Sequence, residues 1–344
     1  MSLLRYLLAT VYRATISIRN YLFNASIIKS KKYNIPIICI GNITIGGTGK
    51  TPHAEYILEL LSNKNVAYIS RGFGRKSKNL IIVEKHLSHF EASDEALQIK
   101  NKFPNLLVIV SKKRTEAIEI IKKSFPKIEI IIMDDGFQHR WVNAGLNIIL
   151  NDYNNPIYED KILPIGRLRD NVSSIKRANI IITTKCKKNI SNSKKSEINN
   201  KFNLCNDVKF FFSEIEYGDF YSIFNNDKVI KFKQKNIFLI TSIANTDPLI
   251  TYLNSANYKI IHHYKFKDHH NYTDSDIKFL KSKLSNYPEN IIVTTEKDKV
   301  KLIHYLEDIF GLNIYYIPIK IKIDKKEEFK QEILNYVEED TTNK

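Results

Sequence analysis

The chain has 344 residues, 43% hydrophobic and 26% charged, an ordinary globular composition with length enough for two domains. Its 53 basic and 37 acidic residues leave a net charge of +16, which points to a negatively charged partner: nucleic acid, an anionic membrane or a phosphorylated substrate. Cys39, Cys186 and Cys205 stand far apart with no C-x-x-C spacing, so neither a disulfide framework nor a zinc site is indicated and a reducing cytosol is the expected compartment.

The first 54 residues carry no Asp or Glu. At 100° per residue Leu4, Leu7, Leu8, Val11, Ala14, Thr15, Ile18 and Leu22 fall on one stripe, with Arg5 and Arg13 on the other side and Arg19 at the flank. The apolar run between Arg5 and Arg13 is only seven residues, too short for a membrane span, and no signal-peptide cleavage site follows. Residues 1–30 are therefore an amphipathic helix with two readings open. One packs it on its own domain; the other lays it in a membrane interface with its arginines on anionic head groups.

An apolar strand from Ile37 to Ile40 then runs into Thr44-Ile-Gly-Gly-Thr-Gly-Lys-Thr51. Glycines at 46, 47 and 49 let successive backbone N–H groups turn onto a phosphate, and a helix N-terminus aims at the same point. Lys50 is placed to reach the terminal phosphates and the Thr51 hydroxyl to bind magnesium. Thr44 stands where the strict phosphate-loop pattern has glycine. A helix over 52–62, a strand from Val66 to Ser70 and the loop Arg71-Gly-Phe-Gly-Arg75 follow, the loop standing where α/β proteins put ligands.

Leu80 to Val83 is the next strand candidate, and Ser93-Asp94-Glu95 opens a helix whose acids capping alone would explain. A strand from Leu106 to Val110 leads through Lys112, Lys113 and Arg114 into a helix over 115–123. Ile128 to Met133 is a continuous apolar strand ending in Asp134-Asp135, the arrangement that holds the cation of a bound nucleotide. Strands at 146–150 and 180–184 flank Leu163-Pro-Ile-Gly-Arg-Leu-Arg-Asp170, whose Arg167 and Arg169 suit a phosphate or sugar phosphate. Strands alternating with helices predict a parallel sheet covered on both faces, a phosphate-loop NTPase-like domain over 31–207.

Residues 185–206 read as a polar surface excursion. Strands at 209–216 and 228–233 predict a β-ribbon linker over 208–233. A smaller C-terminal α/β domain over 234–344 alternates strands at 237–241, 258–262, 291–295 and 314–317 with three helices, and closes on a charged helix from Lys325 that gives way to a disordered end. It contains Phe266-Lys-Asp-His-His270 and Thr295-Glu-Lys-Asp298. A histidine beside an acid, on a loop facing a nucleotide, is what proton transfer requires.

Taken in order, Asn42 to Pro52, Ser70 to Arg75, Asp134-Asp-Gly-Phe-Gln-His-Arg140, Leu163 to Asp170, Phe266 to His270 and Thr295 to Asp298 resemble the tetraacyldisaccharide 4'-kinases over almost the whole chain. The resemblance implies a two-domain kinase that uses ATP and Mg²⁺ to phosphorylate the 4'-hydroxyl of an acylated glucosamine disaccharide 1-phosphate. It implies a peripheral protein on the cytoplasmic face of the inner membrane, touching lipid through the N-terminal helix, and a monomer is the expectation. It places the base on Asp94, supported by His269, and adds Glu95 to Thr51, Asp134 and Asp135 around the metal. Arg71, Arg114, Gln138, His139, Arg167 and Arg169 are the candidates for the phosphates and the sugar. Nucleic acid is not expected, because no basic–aromatic platform is present, and a guanine-specific switch would need an Asn-Lys-x-Asp segment that is missing.

Overall fold

A computed structural model describes residues 3–203, 207–229, 232, 236–285, 287 and 291–342. Cys205 and part of the strand expected over 228–233 lie outside them. After helix α1 (Leu3–Asn24), strands β1 (Ile37–Gly41), β2 (Val66–Ser70), β3 (Ile81–Ile82), β4 (Leu107–Val110), β5 (Ile130–Asp134), β6 (Leu146–Asp152), β7 (Ile180–Thr184) and β8 (Lys209–Tyr217) build one large sheet. Its order is β15-β8-β7-β6-β1-β5-β2-β4-β3, where β15 (Ile319–Ile323) is the last strand of the chain. The seven strands from β8 to β4 in that order run parallel, and β3 and β15 close the two edges antiparallel.

Every residue of β1, β2, β5 and β7 is buried, as their unbroken apolar runs require of strands covered on both faces. Alternation then sorts the side chains. Ile38 and Ile40 enter one core with α2 (Lys50–Leu60) and α4 (Asp94–Lys102), the latter preceded by the single turn α3 (His89–Ala92). Ile37 and Cys39 enter the core on the opposite face with α5 (Arg114–Ser124) and α6 (Asn192–Lys201). α6 gives order to what reads as a loose polar excursion: the Ser191 side chain accepts from the Lys194 N–H and caps it.

A second sheet of six strands, ordered β10-β9-β14-β13-β11-β12, uses β9 (Phe220–Ser222), β10 (Lys228–Val229), β11 (Asn236–Thr241), β12 (Lys259–Lys265), β13 (Ile291–Thr295) and β14 (Ile314–Ile317). Helices α7 (Asp247–Ser255), α8 (Asp274–Leu284) and α9 (Glu296–Leu302) connect its parallel strands. The strands expected to pair as a ribbon linker do not pair with each other among the described residues. β8 pairs antiparallel with β15, from Ser213–Ile323 to Tyr217–Ile319, while β10 pairs with β9 inside the second sheet. The C-terminal tail differs too. Helix α10 (Lys326–Thr342) returns to the large sheet and buries Phe329, Ile333 and Val337, one face at four-residue spacing, in its core.

Helix α1 shows which of its two faces is covered. Ala9, Ile16 and Phe23 are buried, and Asn20, Ser17 and Tyr12 hydrogen-bond to the 169–171 segment. Leu3, Leu4, Leu7, Val11 and Ile18 are instead between 58% and 87% exposed. No described helix is long and apolar enough to cross a membrane.

Candidate active site

The phosphate loop leaves β1 at the centre of the large sheet, at the carboxyl ends of the parallel strands. Gly46 and Gly49 adopt φ of +102° and +90°, left-handed values that a side chain would strain, so glycine is required where the loop folds back. Asn42 Nδ2 donates to Thr48 Oγ1 at 2.8 Å, and the Ile45 N–H donates to the Arg167 carbonyl at 2.8 Å. His53, one turn into α2, is buried, and burial pushes its imidazole down to about 4. Neutral, it donates from Nδ1 to the Gly49 carbonyl (2.7 Å) and accepts at Nε2 from Ser213 Oγ (2.9 Å), tying the loop to β8.

Register explains the acids. Ile40 of β1 pairs with Asp134 of β5, so the carboxylates stand beside the loop as it leaves the sheet. Asp134 is buried, accepts from Tyr68 Oη at 2.7 Å and from the Asp135 N–H at 2.8 Å, and is raised to about 7 by burial and then by the charge of Glu95. Asp135 behaves oppositely. Burial disfavours its charge, but Lys50 at 3.6 Å and Arg169, which grips it through both terminal nitrogens, outweigh burial and hold it well below the usual carboxylate range.

Across the cleft, His269 comes from the second unit and adopts φ of +56°. Its Nδ1 lies 3.2 Å from Asp94 Oδ2, and Lys297 Nζ lies 3.0 Å from its Nε2. Asp94, at the first turn of α4, is 6% exposed. Burial raises its carboxyl, but the bond to His269 and the charge of Lys297 more than offset that and hold it below the ordinary range.

Two cavities meet here. One of about 390 Å³ is lined by Thr44 to His53, Glu95, Asp135, Lys185, Asp268, His269 and Lys297, and continues over Ile215 and Tyr217 of β8 and Ile319 of β15. The other, about 560 Å³, lies against α1 and collects Arg19, Arg71, Lys112, Lys113, Arg114, Gln138, His139 and Trp141. Asp135 and Arg169 line both, so the basic cavity opens beside the phosphate loop. Arg114 is buried, its Nε has no partner among the described residues, and burial lowers it to about 10. Burial, then Arg114 and Arg19, lowers His139 to about 4, as in a site that wants an anion.

Five of the six residues expected at the sugar phosphate thus share one cavity. Arg167 does not join them: its guanidinium pairs with Asp160 at 2.9 Å and with the Asn155 carbonyl. Arg19, Trp141 and Lys297 were not anticipated at a site. Arg19 was legible only as the arginine at the flank of the helical stripe, and Lys297 only as part of Thr-Glu-Lys-Asp.

The model of the family described as tetraacyldisaccharide-1-P 4'-kinase matches residues 1–338. The chain belongs to that family. The tetraacyldisaccharide 4'-kinase of Flavobacterium psychrophilum is 40% identical over 340 residues, 97% of this chain and 96% of its own length. That of Phocaeicola vulgatus is 37% identical over 98% of this chain and 96% of its own. The crystal structure of LpxK from Aquifex aeolicus in complex with ATP superposes with a TM-score of 0.75 at 26% identity, covering 96% of this chain and 97% of that one. The two-sheet α/β fold is the one that this kinase family uses.

Proposed function

We propose that the protein transfers the γ-phosphate of ATP to the 4'-hydroxyl of a tetraacyl glucosamine disaccharide 1-phosphate in lipid A biosynthesis. The observation that carries this reading is the Asp94–His269 contact, in which a buried carboxylate of one unit meets an imidazole of the other that lines the same cleft as the phosphate loop. A hydroxyl is a weak acid, so the reaction rests on alignment and charge neutralisation, with proton removal late in transfer. The triphosphate lies on the amides of residues 44 to 51, with Lys50 at its terminal oxygens. The 4'-oxygen forms its bond to the γ-phosphorus as the bond to the bridging oxygen of ADP breaks, and the hydroxyl proton passes to Asp94. The basic cavity receives the sugar and its phosphate through Arg71, Arg114, Gln138, His139 and Arg169.

The residues also fit Mg²⁺. Burial and then the charge of Glu95 disfavour ionisation of Asp134, an imbalance that a divalent cation removes, and Thr51 adds a hydroxyl oxygen. Asp135 is less free to serve, being held by Arg169 and Lys50. Bound there, the ion would neutralise charge on the phosphates.

Helix α1 gives the membrane contact. Its exposed leucines, with no acid in the helix and Arg5 and Arg13 alongside, suit an anionic lipid interface at the cytoplasmic face of the inner membrane. The test is transfer of label from γ-labelled ATP to a tetraacyl disaccharide 1-phosphate in detergent micelles. Label in the lipid, absent with Lys50→Ala, is the expected result; ATP hydrolysis without lipid labelling would overturn the reading.

A further inference from the structure

Lys297 lines the cleft and takes no part in the reaction described above. Lys297 is the second residue of α9, and its ammonium points at the one nitrogen of His269 that Asp94 does not use: Nζ is 3.0 Å from Nε2, 3.8 Å from Asp94 Oδ2 and 3.9 Å from Asp268 Oδ1. An ammonium has donors only, so a bond between these nitrogens requires Nε2 to be the bare acceptor. The ring proton then sits on Nδ1, where it donates to Asp94 at 3.2 Å.

The contact is built rather than incidental. Thr295 caps α9, its Oγ1 accepting from the Asp298 N–H at 3.1 Å and donating to Asp298 Oδ2 at 2.8 Å. The buried Asp298 also accepts from the Ser242 N–H at 2.9 Å and pairs with Lys301 at 3.1 Å, and the Ser242 carbonyl receives the His269 N–H at 3.2 Å. One buried aspartate therefore fixes both the helix that carries Lys297 and the loop that carries His269. Phe73 closes the ring edge-on at 5.2 Å, and Asp268 stands 4.0 Å from Nε2.

We propose that Lys297 is a positioning residue that locks His269 in the Nδ1-protonated tautomer. The lock aims the ring proton at Asp94 and bars His269 from accepting a proton itself. Asp94 is then the sole acceptor in the pair, and the Thr295-Glu-Lys-Asp298 segment serves the reaction although it lies on the second unit. This inference rests on the reading of Asp94 and His269 as the reaction pair.

The test combines spectroscopy and kinetics on the full chain. In ¹⁵N-histidine spectra, assigned with His269→Gln, wild-type His269 should show a protonated Nδ1 and a bare Nε2, the tautomer less populated in water. Lys297→Met should move it toward the Nε2-protonated form. The same variant should lower kcat about 10- to 100-fold, the scale for losing a group that orients a ligand-bearing histidine, with the KM for ATP little changed. Lys297→Arg, which still donates, should recover most of the loss. An Nε2-protonated His269 in the wild type would overturn the proposal, as would a Lys297→Met variant with intact kcat and a raised KM for ATP, which would place the ammonium on the nucleotide. If Lys297→Met does not fold, the wild-type spectrum decides alone. Failure of wild-type lipid labelling would instead sink the functional reading and leave the tautomer measurement standing.

Discussion

Glu296→Gln tests the electrostatics of the boundary between the two units. Glu296 opens α9 and faces Glu55 of α2 and Lys102 of α4, from the other unit. Lys102 is already engaged by Glu55 at 2.6 Å, and Glu296 Oε2 is buried with no partner among the described residues. Burial, and then the charge of Glu55, raises the Glu296 carboxyl from 4.5 to about 7. A folded value above the unfolded one means stability that is complete below about pH 4.5 and lost as pH climbs through 7. The shift corresponds to about 3 kcal/mol lost at pH 8. Glutamine carries no charge and escapes the loss. Denaturant unfolding should find Glu296→Gln more stable than the wild type by about 3 kcal/mol near pH 8, falling to about 1 kcal/mol near pH 5.5. Equal stability at pH 8, or a difference that ignores pH, would show that Glu296 carries no buried-charge penalty.

The other perturbations act on the reaction and the membrane. Lys50→Ala should abolish transfer, a loss on the order of 4 kcal/mol or roughly a thousandfold in rate, read by the labelling assay. Asp94→Asn should lower kcat by roughly 10²- to 10⁴-fold while calorimetry finds ATP affinity retained; a collapse of ATP binding would assign Asp94 to the metal instead. The double substitution Leu7→Glu and Val11→Glu puts charge on an exposed apolar face, and should weaken sedimentation with anionic vesicles without lowering thermal stability. Unchanged vesicle binding would remove α1 from the membrane contact.

Much of the large sheet was legible because parallel strands buried on both faces are unbroken apolar runs, as Ile37 to Ile40 and Ile128 to Met133 are. The phosphate loop was legible because glycine at 46 and 49 answers a local backbone need that few other contexts impose. The strand partners near the linker are not legible for a different reason. Pairing between β8 and β15 spans a hundred residues of sequence, and local pattern says nothing of partners that far apart. The Ile-Lys-Ile-Lys-Ile323 alternation is a strand signal nonetheless, though it leads directly into the charged tail. The tail helix reads simply as charged because Phe329, Ile333 and Val337, which it buries, stand among many charges.

At the site, the pairing of Asp94 with His269 followed from the family resemblance and not from the residues alone. Ser93 and the following acids are equally well explained as a helix cap, and the structure uses them so: Ser93 Oγ accepts from the Ala96 N–H. What sequence could not convey is that Asp94 also faces a loop 175 residues away. Arg167 shows the reverse. An arginine in a glycine-containing loop near a phosphate site reads as a ligand, yet Asp160 seven residues earlier had already claimed it.

On the proposed function, the amides of residues 44 to 51 hold a triphosphate between the two units. A crystal structure with a non-hydrolysable ATP analogue and Mg²⁺ tests it most directly. Phosphates are expected on Gly46 to Thr51, the terminal one beside Lys50, with the cation near Thr51, Asp134 and Glu95 and the Asp94–His269 pair facing the γ-phosphate. A nucleotide seated elsewhere, with that loop empty and the pair remote from the phosphates, would contradict it.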